Sequence, residues 1–136
     1  MPAAAAFVTD LVCVVVFVVL GRRNHDEGTA ASGVVRTAAP FAMALVVGWL
    51  AGWLVGLSVG GRAARRRRDA STSPRFGLWV WTCTLVVGMV LRRFVFDRGT
   101  AAAFVVVAIV FLAATLLGWR LVAARVASWG RRRAAD

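Results

Sequence analysis

Lysine is absent from this 136-residue chain, and six acidic residues face seventeen arginines, for a formal net charge of +11. There is one histidine, His25, and there are two cysteines, Cys13 and Cys83, in separate apolar runs. A single His with no third ligand type at metal spacing excludes the recognisable metal patterns, so neither a metal nor a cofactor is expected. Thiols seventy residues apart in apolar surroundings read as small packers, with no disulfide or reactive thiolate indicated. No nucleophile–base constellation occurs, so no catalytic residue is assigned and the chain is not expected to be an enzyme. Charge is also scarce where a soluble domain needs it: 17% of residues are charged, 60% are hydrophobic, and the mean hydropathy is +0.76. A soluble domain of this size has too much surface to hide that much apolar area.

What the chain does have is long apolar runs. Residues 3–20 are interrupted only by Thr9 and Asp10, and eighteen residues of helix span about 27 Å, close to a hydrocarbon core of about 30 Å. Residues 38–59 form a second run, polar only at Ser58, and residues 101–119 a third, polar only at Thr115. Residues 76–91 are shorter, and Arg92 and Arg93 at their end could reach the headgroups. The expectation is an all-α membrane protein with four transmembrane helices, a basic loop at 61–75 and a basic tail at 120–136 that continues the last helix or lies along the headgroups. The first run is expected to be retained. It lacks a basic n-region, carries Asp10, and is followed by Gly-Arg-Arg instead of a small-residue cleavage site.

Arginine placement sets the expected orientation. The second loop holds Arg62, Arg65, Arg66, Arg67, Arg68 and Arg75, and the C-terminal end Arg120, Arg125, Arg131, Arg132 and Arg133, eleven in all. The opposite side has six: Arg22, Arg23, Arg36, Arg92, Arg93 and Arg98. The positive-inside rule then places both termini in the cytoplasm of a plasma-membrane protein. Topology and contact with anionic lipid headgroups account for the Arg65–Arg68 run, and no nucleic-acid partner is expected.

The halves of the chain echo one another. A shift of 70 residues lays Cys13 on Cys83, Arg22-Arg23 on Arg92-Arg93, and Gly48-Trp49 on Gly118-Trp119; one residue more lays Asp26-Glu27-Gly28-Thr29 on Asp97-Arg98-Gly99-Thr100. This predicts two two-helix repeats in parallel orientation, related by an axis along the membrane normal, with both Arg pairs at one face. Trp79, Trp81, Trp119 and Trp129 sit near span ends and fit interface anchoring.

Three features could carry function. Asp10 lies near the middle of its run, where an acid costs about 2.5–3.5 kcal/mol on insertion scales. It is either an intramembrane ion or proton site or an acid that fixes helix register, with Thr82, Thr84, Trp49 or Trp53 as possible partners. Arg22, Arg23, His25 and Asp26, with Arg92 and Arg93, could hold an anion or a lipid headgroup through forked donors; alternatively they are solvated loop residues pairing among themselves. Gly48, Gly52, Gly56 and Gly60 recur at four-residue spacing, a glycine-zipper pattern for close helix packing that does not name its partner.

The intramembrane Asp, Gly-Arg-Arg-Asn-His-Asp-Glu-Gly at 21–28, the Gly-Trp of the second run, and Val-Gly-Met-Val-Leu-Arg-Arg at 87–93 together resemble the domain of unknown function 3054 family of small prokaryotic multi-pass membrane proteins. That resemblance implies an integral membrane protein and supplies no activity. Two functions remain: a small ion or solute transporter or channel-like protein, potentially a homo-oligomer, or a structural partner for another membrane protein or anionic lipid.

Overall fold

The computed structural model describes residues 1–24, 31–58, 71–97, 99 and 101–133, and these build four helices. They are α1 (Ala3–Asn24), α2 (Ala31–Ser58), α3 (Pro74–Phe94) and α4 (Ala102–Arg133). All four are long and apolar enough to cross a membrane. The short apolar run at 76–91 becomes a 21-residue helix because Ser73 caps it, accepting from Phe76 N–H at 3.2 Å, and Pro74 takes the first turn. Its other end closes at Val95 and Phe96, and Asp97 adopts a left-handed φ of 45°, tolerable for a short polar side chain. The basic segment after residue 119 is not a separate tail as far as Arg133; it continues α4, a 32-residue helix about 48 Å long. Pro40 lies inside α2 and is fully buried.

Interhelical contacts run in opposite senses along each neighbouring pair, so the helices form a ring of antiparallel neighbours. Arg22 meets Thr37 near one end of α1–α2, while Asp10 meets Trp49 lower down. Between α2 and α3, Trp79 Nε1 donates to Gly48 O at 3.1 Å; between α3 and α4, Trp81 Nε1 donates to Ile109 O at 3.3 Å. Phe17 of α1 packs on Phe104 and Phe111 of α4. Of the four adjacent pairs the tightest is α2–α3 and the loosest α1–α4. Glycines explain the contrast. A Cβ on Gly48 would stand 2.9 Å from Cys83 Cβ, and one on Gly52 2.8 Å from Phe76, whereas one on Gly118 would meet nothing within 4 Å.

Buried positions step along each helix by three or four residues: Ala6, Asp10, Val14 and Val18 on α1; Gly77, Val80, Thr84 and Gly88 on α3; Ala108, Leu112, Leu116 and Arg120 on α4. Midway along the bundle, Phe17 and Phe41 meet edge to face at 5.6 Å, with Phe104 and Phe111 beside them. The exposed side chains on the outer faces, such as Val12, Leu50, Val86 and Val110, are aliphatic, as a bilayer demands.

Candidate functional site

Two charged layers lie at different heights in the bundle, one sealed and one beside a cavity. In the sealed layer, Asp10 and Arg120 are both fully buried and form a two-pronged ion pair, Nη1 to Oδ1 and Nη2 to Oδ2, each at 2.7 Å. Trp49 Nε1 donates to Oδ2 at 3.0 Å and Trp119 Nε1 to Oδ1 at 2.9 Å, so four donors surround one carboxylate. Arg120 spends its other donors on Leu116 O at 2.8 Å and Ser71 O at 3.1 Å. Its guanidinium lies 4.4 Å from the Trp119 ring centroid, while Phe7, Trp49 and Phe76 pack edge to face alongside. Gly77 makes room: a Cβ there would come within 2.6 Å of Arg120 Cδ. Every helix therefore contributes, with the acid from α1, an indole from α2, the glycine berth from α3, and the cation and second indole from α4.

This arrangement is where the sequence reading falls short. Arg120 counted as a cytoplasmic arginine of the tail, and it is instead the buried partner of Asp10. Trp119 serves Asp10 as well, while Trp79 and Trp81 bond helix carbonyls; of the four indoles expected as anchors, Trp79 and Trp129 are exposed, by 44% and 70%. Among the proposed partners Trp49 is correct and Trp53 is exposed. Thr82 bonds Leu78 O within its own helix, and the buried Thr84 hydroxyl has no hydrogen-bond partner among the described residues. A signal for Arg120 existed: it continues the four-residue series Ala108, Leu112, Leu116.

The second layer surrounds a cavity of about 430 Å³, which lies within the usual range of about 300–1,000 Å³ for small-molecule sites. Arg22, Thr37, Arg92 and Gly99 line its polar end; Phe17, Val18, Phe104 and Val107 line its apolar walls. Arg22 is buried, and its Nη1 donates to Thr37 Oγ1 at 3.2 Å while the guanidinium rests over Gly33. Arg92 Nε donates to Gly99 O at 3.1 Å, and its guanidinium sits 4.1 Å from the Phe104 ring centroid. Both arginines are thus fixed by neighbours before any ligand arrives. Fixed, forked donors are the groups that recognise carboxylates and phosphates.

The remaining sequence candidates are distributed as follows. Arg23 is exposed, and Arg93 pairs with Asp97 at 3.7 Å on the surface; neither lines the cavity. His25, Asp26 and Gly60 fall outside the described residues, as does the side-chain environment of Gly56. Gly48 and Gly52 face α3 of the same chain. Asp10 is not part of the cavity lining. Among the described residues, no group of three His, Cys, Asp or Glu could hold a metal ion.

Two residue pairs that the 70-residue offset aligns converge: Trp49 and Trp119 on one carboxylate, Arg22 and Arg92 on one cavity. No curated protein and no solved structure matches the chain. A family model described as "Protein of unknown function (DUF3054)" matches residues 7–123, and the chain belongs to that family.

Proposed function

We propose that this DUF3054 member, an integral membrane protein, is a small carrier of anionic solutes, with the Arg22–Arg92 cavity as its binding site. The observation that carries this reading is the placement of two immobilised guanidiniums and a threonine hydroxyl at one end of a cavity of ligand size. The Asp10–Arg120 layer closes the bundle at another height, which favours a carrier over a continuous pore. In this reading Asp10 is a structural acid and not the coupling site, because its acceptors are occupied by Arg120, Trp49 and Trp119.

The repeat belongs to the same reading: two parallel helix hairpins, whose equivalent arginines meet at one membrane face. Removing Arg120 from the count leaves ten arginines against six, which still favours cytoplasmic termini in the plasma membrane and a cavity at the outer face. The alternative, an assembly partner docking through the glycine face, loses support because Gly48 and Gly52 already pack on α3.

Reconstitution in proteoliposomes tests the proposal. A gradient-driven flux of organic carboxylates or phosphates is expected, lost in Arg92→Gln at unchanged melting temperature. Absence of flux across a panel of such anions in the unmodified protein would refute transport.

A further inference from the structure

We infer that the ligand is an amphiphile drawn from the bilayer, with a phosphate or carboxylate head at Arg22 and Arg92 and an apolar tail leaving between α1 and α4. This rests on the reading of the cavity as an anion site and adds the class of anion.

Three observations point the same way. The lining is mixed. Arg22, Thr37, Arg92 and Gly99 supply its polar groups, and the rest, Phe17 and Val18 of α1 with Phe104 and Val107 of α4 among it, is apolar. A fully hydrated anion gains nothing from such a wall, whereas an alkyl chain does. The cavity is also shallow along the membrane normal. Phe17 lies five residues from Arg22, about 7.5 Å of helix, and the Phe17 and Phe104 rings of the lining pack on each other and on Phe41. A longer tail must therefore leave sideways.

The sideways path coincides with the loosest helix pair. Among the described residues the α1–α4 seam has no glycine contact like those at Gly48 and Gly52, and of the α4 residues lining the cavity Ala103 and Val107 are exposed, Val107 by 54%. An apolar side chain that lines the cavity and is itself more than half exposed stands where a tail would leave. The head would meet immobilised donors, since Arg22 is set by Thr37 and Arg92 by Gly99 and the Phe104 ring.

Binding to the purified protein in neutral-detergent micelles, read as apparent Kd by native mass spectrometry, tests this with methyl phosphate, octyl phosphate, octanoate and octanol. Octyl phosphate or octanoate is expected to bind at least about tenfold tighter than methyl phosphate, as two buried methylenes alone would provide. Whichever of the two binds more tightly identifies the head. Val107→Trp should remove that advantage, and Arg92→Gln should weaken all three anions.

Equal affinity for methyl and octyl phosphate would overturn the amphiphile while leaving the anion site standing. Octanol binding as tightly as octyl phosphate would overturn it by reducing the site to an apolar groove. No binding of any anion would overturn the anion site itself.

Discussion

The two arginine layers are built from similar parts and end in opposite states. Arg120 and Arg22 each rest over a glycine, Gly77 and Gly33, and Arg120 and Arg92 each lie against an aromatic ring. At Arg120 the surrounding space is filled by an acid, two indoles and two carbonyls. At Arg22 and Arg92 it opens into a cavity. Helix packing explains the difference. Around Arg120 large side chains from the helices meet, whereas the cavity beside Arg22 and Arg92 is lined in part by Gly21, Gly99, Ala101 and Ala103. A buried cation therefore holds this bundle together at one height and prepares a ligand site at another.

The largest effect expected from breaking this contrast is at Asp10. Replacing it with leucine leaves Arg120 buried without its acid, and removing one partner of a buried pair costs about 3–5 kcal/mol. The double variant Asp10→Leu/Arg120→Met should recover most of that loss in detergent unfolding, since apolar replacement of a whole buried pair is often neutral or better. Equal instability of the single and double variants would contradict an ion-pair origin. Trp49→Phe and Trp119→Phe should each cost about 1.5–3 kcal/mol, the range for hydrogen bonds to a charged group. Similar costs would support equivalent roles for these two indoles, and a large disparity would break the parallel.

Glycine substitutions sharpen the same comparison at smaller scale. Gly77→Ala should destabilise by about 1–3 kcal/mol, because its Cβ would displace Arg120 Cδ. Gly118→Ala meets open space and should stabilise by about 0.5–1 kcal/mol through helix propensity. A destabilised Gly118→Ala would mean that a neighbour closes on Gly118 in the membrane. The smallest effect belongs to the exposed pair Arg93–Asp97: Asp97→Asn should leave the melting curve unchanged within error.

Much of the fold was readable from sequence because bilayer spans are recognised by length and apolarity alone, properties local to each run. Partner choice was not, since it depends on which faces meet. The four-residue glycine series announced close packing, but only the assembled bundle identifies α3 opposite Gly48 and Gly52. Arg120 was misplaced for a related reason. At the end of an apolar run an arginine ordinarily snorkels to the headgroups, and the acid that holds this one inside lies far away in sequence. Arg22 and Arg92 were recognisable as candidates through their shared offset, while the cavity between them depends on the shape of the α1–α4 seam.

The span between Asp10 and Arg120 also orders the birth of the molecule. The two are separated by 110 residues, the acid in α1 and the cation in α4. At about 5–20 residues per second of synthesis, Asp10 waits roughly 5–20 s for its counter-ion. During that interval Asp10 can have the Trp49 indole of α2 but neither Trp119 nor Arg120, which α4 brings. Completion of the fourth helix is thus the event that commits the bundle. A ribosome stalled before codon 120 would leave an unpaired membrane acid, the kind of polar flaw by which an unfinished chain differs from a finished one.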